Sequence, residues 1–135
     1  MINIVSADFI KGAVNAAGFP SLGLPEFAFF GRSNVGKSSL INTITNRKSL
    51  VKTGSRPGMT RQINFFKINN QFVLTDLPGY GYAQRSGQEN EAFDRMLAQY
   101  AQERQELKTI FFLMDMRRLP TQVEADTVAY FENLN

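Results

Sequence analysis

"PEFAFFGRSNVGKSSLINTITN" occupies residues 25–46 and holds three different local patterns. Pro25 introduces a short aromatic and apolar run, too short for a helix and closed by Gly31, which predicts a buried strand over 25–31. From Lys37 the spacing changes: Leu40, Ile41 and Ile44 recur at helical intervals, which predicts a helix over 37–46. The residues joining strand to helix, "GRSNVGKS" (31–38), fit Gly-x-x-x-x-Gly-Lys-Ser. Between a strand and a helix such a loop has a physical purpose. Its glycines let backbone N–H groups curl around a diphosphate, and the helix start points its positive end at the same anion. Lys37 brings a cation to the β- and γ-phosphates, and Ser38 offers a hydroxyl to Mg²⁺.

Further along, "INFFKIN" (63–69) and "QFVLTDL" (71–77) are β-rich runs meeting at Asn69-Asn70, residues that tolerate the positive φ of a tight turn, so an antiparallel hairpin is expected. Asp76 closes the second run, where its carboxylate would lie next to the phosphate loop and reach Mg²⁺ through water. Gly79 follows in "DLPGYGYA" (76–83), and a glycine there frees a backbone N–H to approach a γ-phosphate. Between the motifs, residues 47–61 have no sustained period and read as a long loop, in which the hydroxyl of Thr60 could close over Mg²⁺.

The remaining chain alternates again. Phe93, Met96, Leu97, Tyr100, Ala101 and Leu107 form one apolar face of a helix expected over 88–108. "TIFFLMD" (109–115) is a continuous apolar strand, and a last helix is expected to begin at Pro120 with Val123, Val128 and Phe131 on its apolar side. Strands alternating with helices predict an α/β fold with a mostly parallel sheet flanked by helices and one antiparallel hairpin strand.

Composition narrows the chemistry. The 135 residues include twelve Phe and four Tyr, enough for one domain with a real core, and neither Cys nor His. Disulfides, thiol or imidazole catalysis and the common zinc sites are therefore excluded, and any metal must sit on oxygen. The longest apolar run, Ile110 to Met114, is far short of the ~20 residues that cross a bilayer, so no membrane association and a cytoplasmic location are expected. Residues 1–75 hold nine Lys and Arg against Asp8 and Glu26, whereas 76–135 hold six against ten acidic residues. The basic run Arg47, Lys48, Lys52, Arg56 and Arg61 can face nucleotide phosphates or RNA, or be a solvated loop; composition leaves both open.

The segments "PEFAFFGRSNVGKSSLIN", "SRPGMT", "INFF", "DLPGYGYA" and "MDMR", in this order, resemble the EngB family of bacterial small GTP-binding proteins, and the resemblance covers nearly the whole chain. It implies a P-loop, Ras-like G domain, with an N-terminal segment over 1–24 and a nucleotide-binding core over 25–135. It also implies GTP hydrolysis with Mg²⁺ as a molecular switch, assembly of the large ribosomal subunit, and a link to cell division and septation. By position, Gly31, Arg32, Ser33, Asn34, Val35, Gly36, Lys37, Ser38 and Ser39 would hold the phosphates. Gly58, Met59, Thr60, Arg61 and Gln62 would form the first switch, and Asp76, Leu77, Pro78 and Gly79 the second. Ser38, Thr60 and, through water, Asp76 would hold Mg²⁺, and Lys37 and Thr60 would act in catalysis. Asn34 fits either a K⁺ ion acting in the transition state, as in related GTPases, or simply a tight loop.

The chain also departs from the family pattern. Met59 and Arg61 flank Thr60 where a basic residue and a glutamine are usual, Arg118 stands where a histidine is common, and Tyr80 occupies the place of the water-orienting glutamine of Ras-type switches. The guanine-reading Asn/Thr-Lys-x-Asp motif does not occur, so guanine specificity rests on the resemblance, and the stop at Asn135 suggests a fragment. In that case "TIFFLMD" would be an unpaired apolar edge open to self-association. A P-loop ATPase or kinase, and a non-catalytic RNA-binding fragment, stay open as alternatives.

Overall fold

The computed structural model describes residues 3–32, 35–51, 62–79, 87–117, 119 and 121–133, with the side chains of 87–91 and 123 outside that description. Strand β1 spans Ala7–Ala13 and is followed by a short 3₁₀ turn at Ala16–Gly18. Then come β2 (Glu26–Gly31), helix α1 (Lys37–Ile44), β3 (Ile63–Ile68), β4 (Phe72–Asp76), α2 (Gly87–Glu103), β5 (Leu107–Leu113) and α3 (Gln122–Asn133).

The strands form one sheet in the order β1-β3-β4-β2-β5. β2 pairs in parallel with both β4 and β5, whereas β3 runs antiparallel to β1 and β4. β3 is thus the single strand opposed to the rest, as the hairpin predicts. The hairpin turns at Asn69 and Asn70, whose φ values of 54° and 53° lie in the left-handed region, and the Gln71 N–H donates to the Ile68 carbonyl at 2.9 Å. Asn69 does more than turn the chain: its side-chain oxygen accepts from the N–H groups of Val5 and Ser6, and its amide donates to the Asn3 carbonyl.

The continuous apolar character of β2 follows from helices on both faces. Ala28 and Phe30 face a core with Phe93, Met96, Leu97 and Tyr100 of α2, with Phe131 of α3 packed against it. Phe29 faces the other core with Ile41 of α1, Val51, Phe66, Ile68 and Leu74. Each fully buried Phe, Ile, Leu, Met or Val among them contributes about 1.5–3 kcal/mol of burial free energy.

Several boundaries differ from expectation, and one strand was not expected. α2 ends at Glu103, so Leu107 belongs to β5 and not to the helix's apolar face. The cause is Arg104, which follows the helix end and turns its guanidinium inward onto the fully buried Glu26 at 2.9 Å, while a turn closed by Leu107 N–H on the Arg104 carbonyl starts the next strand. α3 begins at Gln122 rather than at Pro120, which lies outside the described residues. β1 lies in a segment for which no element was expected. β5 is a terminal strand of the sheet, pairing with β2. Among the described residues no helix is long and apolar enough to cross a membrane.

Candidate functional site

The parallel strands β2, β4 and β5 end side by side, with Phe29 opposite Asp76 and Gly31 opposite Leu113. Ligands of open parallel sheets collect at this carboxyl edge. Gly31 leaves β2 so close to its neighbour that a Cβ there would lie 2.9 Å from the Leu113 carbonyl oxygen and 3.0 Å from Val35 Cγ1. Gly36, at φ 99°, is the N-cap of α1, a backbone geometry that L side chains rarely adopt. It offers no side-chain cap, so the first N–H groups of α1 are left for an anion, and the half-buried Ser38 lies in that first turn.

Across the edge, the Lys37 ammonium donates to a carboxylate oxygen of Asp76 at the end of β4. Both side chains are largely buried, at 12% and 10% exposure. Burial pushes the Asp76 carboxyl above its ordinary value, and the charge and hydrogen bond of Lys37 oppose that rise. The next residue folds back over β2, with the Leu77 N–H on the Phe29 carbonyl at 3.0 Å, and Leu77, Pro78 and Gly79 are buried. Asp76 and Ser38 together offer a carboxylate and a hydroxyl. Hard oxygen donors of this kind, completed by phosphate oxygens and water, suit Mg²⁺. Among the described residues no three acidic side chains gather into a cage of their own.

The structure thus brings Gly31, Val35, Gly36, Lys37, Ser38 and Asp76 to one edge. Ser39 is exposed on α1 and takes the Thr43 hydroxyl on its carbonyl. Gln62, at the entry to β3, bonds Asn64 at 2.7 Å and lies over Gly12 of β1, so its side chain serves the β1–β3 ladder. The side chain of Arg32 reaches Glu124 of α3 at 3.0 Å, which leaves its backbone as the part that can face a phosphate. Ser33, Asn34, Gly58, Met59, Thr60, Arg61 and Tyr80 lie outside the described residues.

Two residues near the site were missed. Glu124 is buried at the start of α3, where its Oε1 accepts from both the N–H and the hydroxyl of Thr121. The signal was present, since Thr121-x-x-Glu124 is a capping-box pattern. Asn42, on the buried side of α1, donates to the Val51 carbonyl and accepts the Val51 N–H, both at 2.8 Å, and so fixes the chain as it enters 52–61. No local pattern marks that pairing.

A glycine-edged loop joining a parallel strand to a helix, with its lysine on an acid that ends the neighbouring parallel strand, defines a P-loop nucleotide-binding domain, and the five-stranded mixed sheet and three helices among the described residues arrange it as a Ras-like G domain. A family model described as "50S ribosome-binding GTPase" matches residues 26–134. The "Probable GTP-binding protein EngB" of Treponema denticola is 54% identical over 154 residues, covering 99% of this chain and 73% of that protein. Its namesake in Syntrophotalea carbinolica is 48% identical over 134 residues, covering 99% and 65%. A crystal structure of "a probable GTP-binding protein engB" superposes with a TM-score of 0.57 at 26% identity, covering 79% of this chain and 65% of that one. The chain belongs to the EngB family of GTP-binding proteins.

Proposed function

We propose that the chain is the nucleotide-binding part of a GTP-hydrolysing switch that binds the large ribosomal subunit during its assembly and thereby supports cell division and septation. The observation that carries the nucleotide part is the meeting of Lys37 and Asp76 at the edge where Gly31, Gly36 and the α1 N-terminus converge. In the bound state Lys37 exchanges Asp76 for the β- and γ-phosphates. Ser38, with Thr60, would hold Mg²⁺, with Asp76 reaching it through water, and the ion when bound would neutralise charge on the transferred phosphoryl group. Thr60 and Asn34, the latter with K⁺, complete the catalytic set, and Asp76 to Gly79 sense the γ-phosphate. The ribosomal part rests on the description of the matching family model, and the EngB relatives favour guanine over the adenine of an ATPase or kinase. The protein works in the cytoplasm. The chain spans 73% and 65% of two such relatives, so activity and partners are proposed for the protein as a whole.

Titration with fluorescent GDP in Mg²⁺, competed by unlabelled ATP, tests the nucleotide part. Binding that survives excess ATP and is lost in Lys37→Ala supports it. Displacement by ATP, or binding undiminished in Lys37→Ala, refutes it.

A further inference from the structure

The phosphate loop is tied to a helix that lies 92 residues away in sequence. Arg32, the residue after the end of β2, directs its guanidinium to Glu124 Oε2 at 3.0 Å, and the two side chains are 28% and 10% exposed. The other oxygen of the same carboxylate caps α3 through the Thr121 N–H at 3.1 Å and hydroxyl at 3.0 Å. One buried carboxylate therefore holds the first turn of the loop with one oxygen and the start of α3 with the other. Gly31 just before it abuts the Leu113 carbonyl, so at this point the chain is confined by backbone on one side and by a charge-assisted bond on the other. A loop that cradles phosphates through backbone N–H groups works only while its path is fixed, because those donors must already point at the anion.

We infer that Glu124 is a positioning residue for the phosphate loop: by holding Arg32 it fixes the loop's first turn in its phosphate-binding path and slows nucleotide release. The inference rests on the GTP-binding reading above. It also explains why an arginine inside a phosphate loop turns away from the phosphates, since its charge is committed to α3.

Glu124→Gln is the informative variant. Glutamine keeps an oxygen for the Thr121 cap but removes the negative charge that faces Arg32 and turns an N–H donor toward the guanidinium, which can no longer bond there. Fluorescent GDP should leave this variant about ten-fold faster, the order expected when a charge-assisted hydrogen bond is lost. Amides of residues 31–36 should exchange hydrogen faster in the nucleotide-free protein. In an Arg32→Met background Glu124→Gln should add nothing to either reading. Thr121→Val, which weakens the α3 cap without touching Arg32, should lower the melting temperature and leave GDP release unchanged. Release that is unchanged or slower in Glu124→Gln overturns the inference, as does an undiminished effect in the Arg32→Met background or equal acceleration in Thr121→Val. If the unaltered chain binds no GDP, the GTP-binding reading fails, and amide exchange over 31–36 still decides whether Glu124 positions the loop.

Discussion

Tyr100→Phe removes one oxygen atom from the interior, and the structure fixes both what that costs and how the cost changes with pH. Tyr100 is fully buried, its ring packs edge-on against Phe19, and its hydroxyl donates to the carboxylate of Glu26, also fully buried. Phenylalanine keeps the ring and loses the donor. Leaving a buried carboxylate short of one hydrogen bond costs about 1.5–3 kcal/mol, so a gap of about 2 kcal/mol is expected near pH 8. Burial first, and then the negative charge of Glu26, push the Tyr100 phenol far above its ordinary value of 10.0. Above pH 10 the unfolded chain therefore releases a proton that the folded chain keeps. The folded state then binds more protons, and its stability falls as pH rises, by about 1.4 kcal/mol per pH unit for this one group. The Tyr100→Phe variant has no phenol to titrate, so the gap of about 2 kcal/mol should halve near pH 10.7 and close near about pH 11.5. Urea unfolding of both proteins, followed by circular dichroism across this range, measures the gap directly. A gap that stays constant from pH 8 to 11, or is absent at pH 8, would refute the reasoning.

Gly31→Ala forces a Cβ to within 2.9 Å of a backbone carbonyl that cannot swing aside. About 1–3 kcal/mol of stability should be lost in thermal melts, with weaker GDP binding because the loop must shift. Asn42→Ala leaves the buried N–H and carbonyl of Val51 unpaired and should cost about 2–4 kcal/mol in chemical denaturation, and Asn42→Asp, which accepts the Val51 N–H but sets a buried carboxylate oxygen against the Val51 carbonyl, should lose at least as much near neutral pH.

Most of the sheet was legible because its strands are apolar on both faces and bounded by glycine or by the Asn69-Asn70 turn. The phosphate loop was legible because glycine, lysine and serine occur at the spacing that its chemistry requires. β1 was not. "ADFIKGA" carries a lysine and a glycine, exposes Phe9, and shows no alternation. It is a strand because β3 offers it a ladder, because the Gln62 amide needs the space left by Gly12, and because Asn69 pins the residues before it. All three causes lie more than forty residues away in sequence. The end of α2 was misjudged for a related reason. Leu107 continues the helical period, but the inward turn of Arg104 answers to Glu26, a partner that no local window contains. Arg32 shows the same limit at the site, since its place in the motif suggested a phosphate ligand while its side chain answers to Glu124.

Burial of charge does not by itself mark a site, and two carboxylates of this fold show why. Glu26 at the start of β2 accepts from the Tyr100 hydroxyl and from Nε and Nη2 of Arg104, whose guanidinium also lies 5.2 Å from the centre of the Phe65 ring. The Tyr100 and Arg104 donors to Glu26 hold the end of α2 against the sheet, and truncating one of them leaves a buried charge short of a partner, so its role is structural. Asp76 at the end of β4 is buried as well, yet its bond is to Lys37, a side chain that the phosphate loop requires elsewhere. Its carboxyl is raised by burial, which the single lysine only opposes. A carboxylate held by a cation that must leave it gains most from a replacement cation arriving with the ligand. Under the proposed function a metal-bound nucleoside triphosphate would bring that exchange, which sets the structural carboxylate at Glu26 apart from the one proposed to act at Asp76.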